Sequence, residues 1–214
     1  MSDLRPSFKK RTIRSLFLTF DKKEKTSEDV EDEILSTGMK YIQLKLPVEK
    51  ITKEFEIEIT KKVATNFLNA KIRSATKEDL ESVVQMYNRS WMTSCTPFSP
   101  ISIDTLKKIL EYPETTILIA RAYGIDAGFI ILDLEGPNKE FGVIAGLGVI
   151  PRFQRKGLGT VLGMAGWNHF KDLGVKELRC EVYHENKVSY DFIRSLGFEE
   201  CGEKVYKSED FQLD

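Results

Sequence analysis

The apolar positions of residues 71–214 change their spacing from one segment to the next. Short apolar runs predict strands at 71–73, 115–123, 127–134, 141–150 and 178–183, with a last strand from Phe198. Apolar residues three and four positions apart predict helices at 80–91, 101–110, 161–173 and 186–195. The order β-α-α-β-β-β-α-β-α-β predicts a mixed α/β (α+β) fold, a central mixed sheet with helices on both faces.

Residues 1–70 have a different composition, which is dense in lysine and glutamate. Strands are predicted at 13–20 and 41–46, with a short acidic helix between them that Thr26 or Ser27 could cap. The run 55–59 alternates like a strand, but it could also be the end of a helix that starts at Val48. We therefore predict a small α/β extension of unknown role at 1–70 and a main domain at 71–214.

Composition and charge limit the kinds of partner. The chain has 214 residues, of which 41% are hydrophobic, and its formal net charge is −1. These values predict a globular protein with a core and no overall field that attracts nucleic acid or anionic lipid. No apolar run approaches the roughly 18 residues of a membrane span, and the N-terminus lacks the long apolar segment of a secretory signal. We therefore expect neither nucleic acid nor a membrane as a partner.

The cysteines and histidines show no metal-ligand spacing. Cys95, Cys180 and Cys201 are widely separated, and the chain has two histidines. An odd number of scattered cysteines argues against a disulfide framework and is typical of a reducing compartment. We expect a cytoplasmic protein without a metal site.

The segment 148–159 has the pattern of an anion site. An apolar strand is stopped by Pro151, a basic Gln-x-x-Gly-x-Gly turn follows at 154–159, and a helical pattern begins at Thr160. Glycine lets the backbone approach a ligand closely, and the start of a helix offers N–H groups without partners together with the positive end of its dipole. The turn lacks the Gly-Lys-Ser/Thr ending of an NTPase loop and the third glycine of a dinucleotide fold. It therefore favours a pyrophosphate ligand of another kind.

A second informative segment follows the strand at 178–183. Asn186 stands where a helix begins, and Gly197 stands where that helix ends. An asparagine cap and a glycine stop explain both residues structurally and do not exclude a function.

Together the two segments resemble the motifs of the GCN5-related N-acetyltransferase (GNAT) family. The first has Leu-x-Val-x-Pro at 147–151 followed by Gln-x-x-Gly-x-Gly at 154–159. The second has Leu-x-Cys-x-Val-x-x-x-Asn at 178–186. The interval between the motifs and the order of elements also fit, so the resemblance covers about residues 71–205.

The resemblance implies a GNAT-like acyl-CoA N-acyltransferase fold and an acetyl-CoA site between two splayed parallel strands. Leu147, Gly148 and Val149 would pair with the pantetheine arm through their backbone groups. The pyrophosphate would lie against the turn and the helix start. The implied cofactor-binding residues are Leu147, Gly148, Val149, Gln154, Arg155, Lys156, Gly157, Leu158, Gly159, Thr160 and Asn186.

The catalytic residues depart from the family pattern. Ile193 stands where the family often has a tyrosine that protonates the leaving thiolate, and Tyr190, one helical turn earlier, is the candidate that remains. A glutamate base is found in some members on the strand before the turn, where this chain has Val143, with Glu140 nearer the strand start. Proximity and proton transfer through water would then carry the reaction.

The implied function is transfer of an acetyl group from acetyl-CoA, as co-substrate, to an amine by direct attack on the thioester. Two alternatives remain: a catalytically idle CoA-binding or regulatory domain, and a pure interaction protein. The acceptor could be a small-molecule amine or an amine of a protein or peptide, and a homodimer is also left open. Glu181 and Tyr183 alternate with Cys180 and Val182, so they could line the acceptor pocket.

Overall fold

The structure is a computed structural model that describes residues 38–64, 69–94, 100–110 and 112–211. Its strands are β1 (Met39–Pro47), β2 (Lys71–Ser74), β3 (Thr116–Ala122), β4 (Ile125–Glu135), β5 (Phe141–Val149), β6 (Glu177–Tyr183) and β7 (Glu199–Tyr206). Its helices are α1 (Lys53–Ala64), α2 (Leu80–Trp91), α3 (Ile103–Leu110), α4 (Leu158–Asp172) and α5 (Lys187–Ser195). The predicted strand at 13–20, the acidic helix after Thr26 and Cys95 lie outside the described residues.

All seven strands form one sheet in the order β2-β3-β4-β5-β6-β1-β7. The pair β5–β6 is parallel and the other pairs are antiparallel, so the predicted mixed sheet is confirmed. Strand β4 is covered on both sides: Phe129 contacts Tyr87 of α2 with ring centroids 5.8 Å apart, and Ile130 packs at Gly166 of α4. Helices therefore lie on both faces of the sheet, as the order of elements predicts.

The hairpin between β3 and β4 is tighter than its sequence pattern predicts. The two residues between the strands are Tyr123 and Gly124, with φ of 51° and 77°. Positive φ at both positions matches the right-handed twist of the strands that such a turn joins. The turn therefore consists of Tyr123 and Gly124, whereas the strands predicted at 115–123 and 127–134 leave residues 124–126 between them.

The start of α2 is fixed by Asp79. Its carboxylate accepts from the Thr76 N–H at 2.8 Å and from two guanidinium nitrogens of Arg73 at 2.7 Å each. The Thr76–Asp79 pair forms a capping box, although an aspartate takes the place of the usual glutamate or glutamine. The hydrogen bonds from Arg73 hold the pKa of Asp79 well below its usual range. These hydrogen bonds thus anchor the N-terminal end of helix α2.

Strand β1 lies inside the sheet although it precedes the main domain in sequence. It pairs antiparallel with β6 through Tyr41 opposite Tyr183, and with β7 on its other side. The following segment, left open between strand and helix, is helix α1, and Glu56 on it accepts from Trp167 Nε1 and Lys171 Nζ of α4, each at 2.7 Å. The sheet is therefore continuous across the boundary that we predict at residue 70.

The position of β1 in the sheet generates a stability prediction. Leu44 of β1 is 1% exposed, and replacement of a buried leucine by alanine costs about 2–5 kcal/mol. We expect Leu44→Ala to lower the free energy of unfolding by that amount in urea denaturation. The neighbouring Lys45→Ala is the control and should cost less than about 1 kcal/mol, because the side chain of Lys45 is 43% exposed. A main unfolding transition that is unaffected by Leu44→Ala would show that β1 is a detachable extension.

Candidate functional site

Strands β5 and β6 are paired along only part of their length. Their paired positions run from Phe141 opposite Glu177 to Ile144 opposite Cys180. Beyond that point β5 continues to Val149, still paired with β4, while β6 continues to Tyr183, still paired with β1. The two strands separate there, and the backbone groups of β5 that face the gap need another partner.

A bulge in β5 coincides with the separation of the strands. The register between β4 and β5 shifts at this point, because Ile131 opposes Gly146 while the next residue, Leu132, opposes Ile144. An extra residue on one strand bends it and increases its local twist. The bulge thus directs the end of β5 away from β6.

A cleft of about 450 Å³ occupies this gap. Its walls are the ends of β5 and β6, the glycine turn with the start of α4, the start of α5, and the end of α2. Residues of both sequence motifs therefore meet in one cavity.

The glycine turn presents the start of α4 to the cleft. Gly157, immediately before the helix, has φ of 78°, and Arg155 also has positive φ at 57°. Val161 N–H bonds to the Gly157 carbonyl, whereas the N–H groups of the three residues before Val161 precede the first full helical turn and have no acceptor in the helix. These N–H groups and the helix dipole favour an anion here.

Gln154 holds the turn against the end of β5. Its amide Nε2 donates to the Val149 carbonyl at 2.8 Å and to Thr93 Oγ1 at 3.0 Å. The side chain therefore fixes the geometry of the loop and occupies one acceptor of the β5 edge.

Asn186 links the second motif to the end of α2. Its Oδ1 accepts from the Ser189 N–H at 3.1 Å, which caps α5, and its Nδ2 donates to Ser94 Oγ at 3.2 Å. The segment after α2 is thus tied to the first motif through Thr93 and to the second through Ser94. This arrangement holds three walls of the cleft at a fixed spacing.

Ten of the predicted cofactor-binding residues line the cleft. They are Leu147, Gly148, Val149, Gln154, Arg155, Gly157, Leu158, Gly159, Thr160 and Asn186. Gly148 also has a packing role, because a Cβ there would lie 2.4 Å from Ser90 Oγ of α2. Lys156 is outside the lining, and its Nζ lies 5.9 Å from the centroid of the Phe153 ring.

The proton-transfer candidates lie apart from the cleft. The Tyr190 hydroxyl donates to Glu200, and this hydrogen bond raises the pKa of Tyr190. Tyr190 is outside the lining, whereas Ile193, at the position of the family tyrosine, is buried and within it. Glu140 accepts from the Asn138 N–H in the turn after β4, and neither it nor Val143 lines the cleft.

The cleft is also lined by residues that the motifs do not identify. Tyr41 of β1 lines it, together with Trp91, Glu181 and Tyr183. Glu181 and Tyr183 line the cleft as expected, but Cys180 and Val182 line it as well, so the alternation along β6 does not separate the two pairs. The strand pattern around Tyr41 predicts β1 itself, but it carries no information on which strands β1 joins.

Within residues 38–64, 69–94, 100–110 and 112–211, no three His, Cys, Asp or Glu side chains stand together as a metal ion would require. None of the helices in the described part of the chain is long and apolar enough to cross a membrane. Cys180 is buried and Cys201 is exposed.

A separating pair of parallel strands beside the start of a helix is the arrangement that the resemblance implies. The model of the acetyltransferase (GNAT) family matches residues 80–198. The chain belongs to this family. Its fold is also similar to that of the aminoglycoside N-acetyltransferase AAC(6')-Iy in complex with CoA, with a TM-score of 0.53, 22% identity and coverage of 64% of this chain and 93% of that one.

Other GNAT proteins show the same fold or share sequence. The PaiA N-acetyltransferase from Thermoplasma acidophilum, in complex with coenzyme A, has a TM-score of 0.53 at 22% identity and covers 64% of this chain and 99% of that one. The mycothiol acetyltransferase of Paenarthrobacter aurescens is 32% identical over 89 residues, which are 40% of this chain and 28% of that protein. That of Nocardioides sp. is 36% identical over 63 residues, 29% of this chain and 21% of that protein. The chain thus spans less than a third of the length of these curated relatives.

The role of Asn186 as a cap generates the next prediction. Loss of an N-cap acceptor costs about 0.5–2 kcal/mol. We expect Asn186→Ala to lower the free energy of unfolding in urea by that amount. Asn186→Asp should keep most of the wild-type stability, since a carboxylate still accepts from the Ser189 N–H. Asn168→Ala is the control and should have little effect, because Asn168 lies exposed within α4. Equal losses for the alanine and aspartate variants would contradict the capping role.

Proposed function

We propose that this protein is an acetyl-CoA-dependent N-acetyltransferase that transfers the acetyl group to an amine. The observation that carries the proposal is the separation of β5 from β6 directly beside the start of α4. One end of the gap offers unpaired strand edges, and the other offers helix N–H groups. An elongated ligand with an amide-containing arm and a pyrophosphate needs both.

In the proposed binding mode, the pantetheine arm lies along the free edge of β5 as an additional strand. Leu147 supplies its backbone donor and acceptor to the arm. Ile150 N–H bonds to the Ala127 carbonyl, so Gly148, two positions earlier, points its backbone groups at β4. The pyrophosphate lies against the N–H groups of Leu158, Gly159 and Thr160, where Arg155 adds positive charge. Asn186 orients α5 rather than serving as the principal ligand, because its side chain already makes two hydrogen bonds.

In the proposed reaction, a neutral amine attacks the thioester carbonyl. The N–C bond forms, the C–S bond breaks, and the nitrogen loses a proton while the thiolate gains one. N–H groups on the β5 edge stabilise the negative charge that develops on the carbonyl oxygen. Ile193 is apolar and the Tyr190 hydroxyl is hydrogen-bonded to Glu200, so in this reaction water supplies the proton that the thiolate gains. Protonation by Tyr190 would require the Tyr190–Glu200 hydrogen bond to break.

A second candidate function is a domain that binds CoA without turnover. The apolar side chains of Ile193 and Val143, where other members have proton donors or acceptors, favour it. The two candidates share one cofactor site and differ only in whether an amine is acetylated.

Binding and turnover assays distinguish these candidates. We expect calorimetry to detect acetyl-CoA binding, and thiol release to rise above simple hydrolysis when a suitable amine is present. The amine panel contains a monoamine, a polyamine, a lysine-containing peptide and a peptide with a free N-terminus. Binding without thiol release from any amine would favour the idle domain. No binding at millimolar acetyl-CoA would contradict both.

A charge reversal at the glycine turn tests the location of the site. Gly157→Glu places bulk and negative charge where the pyrophosphate is proposed to lie, so we expect acetyl-CoA binding to disappear from calorimetry. The matched control is Gly174→Glu, which has a similar positive φ of 69° and lies beyond the other end of α4, about 25 Å away along the helix. Both variants carry the same backbone strain. Unchanged affinity in Gly157→Glu would show that the site lies elsewhere.

The proposal also includes the class of acceptor and the cellular location of the enzyme. The acceptor is a small-molecule amine, in keeping with the aminoglycoside and mycothiol acetyltransferases among the similar proteins. A cytoplasmic location follows from the cysteine pattern.

A further inference from the structure

The acceptor end of the cleft contains a carboxylate that side chains of β1 and β7 hold in place. Glu181 of β6 lines the cleft. Its Oε1 accepts from Gln43 Nε2 of β1 at 2.9 Å, and its Oε2 accepts from the Tyr206 hydroxyl of β7 at 2.7 Å. Each carboxylate oxygen has two lone pairs, so Glu181 can still accept hydrogen bonds from a ligand.

Two donors fix the orientation of the Glu181 carboxylate. Burial and the adjacent Glu181 raise the pKa of Tyr206, so its hydroxyl keeps its proton and remains a donor to Oε2. The Gln43 amide nitrogen can only donate to Oε1. Together these two hydrogen bonds hold the carboxylate in one orientation within the cleft.

The charges within the cleft are few and separate. Among the described residues that line it, Glu181 is the single acidic side chain and Arg155 the single basic one. Arg155 belongs to the glycine turn, where the pyrophosphate is proposed to lie. The acceptor end therefore offers one negative charge, which balances one positive charge on a ligand.

Tyr206, which donates to this carboxylate, belongs to a cluster of aromatic rings. Tyr41 contacts Tyr183 and Tyr206 edge to face, with ring centroids 5.7 Å apart in both pairs. Trp91 stacks on Tyr87 with centroids 4.5 Å apart, on the wall that α2 forms. Such rings suit an apolar or aromatic body next to an ammonium group.

We propose that Glu181 binds the ammonium group of the acceptor and accepts its proton, and that the acceptor is a monoamine with an apolar body. This inference rests on the proposed acetyl transfer. Gln43 and Tyr206 act as positioning residues. Both lie outside residues 80–198, which the family model matches, so acceptor selection uses parts of the chain beyond the shared region.

The proton balance is simple. The ammonium gives one proton to Glu181, and the neutral nitrogen then attacks the thioester carbonyl. After the N–C bond has formed, the nitrogen loses a second proton, and the thiolate released by C–S cleavage takes up one proton through water. Glu181 returns its proton to solvent, so each turnover yields an amide, a thiol and one proton.

The test compares Glu181→Gln with wild type, using 2-phenylethylamine as the monoamine and spermidine as the polyamine. We expect wild type to acetylate 2-phenylethylamine with the higher kcat/KM. Glu181→Gln should lower that kcat/KM by about 100-fold or more, the range of a lost proton acceptor, while acetyl-CoA affinity stays within about twofold. The matched control is Glu177→Gln, on the same strand and outside the lining, which should retain activity.

A second measurement separates binding from turnover. With CoA bound, 2-phenylethylamine should bind to wild type in calorimetry, and its affinity should fall at least tenfold in Glu181→Gln. Gln43→Met, which keeps the side-chain volume and removes the donor, should lower kcat for 2-phenylethylamine more than it raises KM if the residue positions Glu181.

Three results would overturn the inference. The first is a kcat/KM of Glu181→Gln within threefold of wild type, and the second is a preference of wild type for spermidine. The third is equal binding of 2-phenylethylamine to wild type and Glu181→Gln. Each of these results leaves the proposed acetyl transfer intact. By contrast, acetyl-CoA binding without thiol release from any amine contradicts the proposed acetyl transfer, and this inference fails with it.

Discussion

The cleft exists because two parallel strands stop pairing before they end. Backbone N–H and C=O groups must find partners, so an unpaired stretch inside a sheet is a site that a ligand can complete. The β5 bulge ends the pairing at Ile144 and Cys180, and the glycine turn then places the start of α4 at the same gap. The hydrogen bonds of Gln154 and Asn186 then hold the walls of this gap at a fixed spacing.

The parts of the fold that local sequence determines were predicted well. The glycine turn and the Asn186 cap depend on residues a few positions apart, and the apolar spacing identifies the strands and helices of the main domain. The place of β1 was not predictable in this way, since Gln43 and Glu181 are 138 residues apart and strand alternation carries no signal of partner choice. For the same reason, the sequence pattern identifies Tyr41 only as a strand residue. Its place in the lining of the cleft becomes visible only in the structure.

The two ends of the cleft come from different parts of the chain. The residues proposed to hold the cofactor lie between 147 and 186, within the region that the family model matches. The proposed acceptor end combines that region with Tyr41 of β1, while Gln43 of β1 and Tyr206 of β7 hold Glu181 there. The cofactor geometry can therefore be shared with distant GNAT proteins at 22% identity, while the surroundings of Glu181 are set by segments outside the shared region.

The insertion of β1 between β6 and β7 also has a consequence for the order of folding. The hairpins β3–β4 and β4–β5 join neighbours in sequence and need little loop closure. Strand β1, which is synthesised before all of its partners, must wait until β6 and β7 have been made, and its pairing then closes a loop of well over a hundred residues. Such non-local contacts slow folding. We expect the cofactor end to assemble early and the acceptor end to be the last part of the sheet to form.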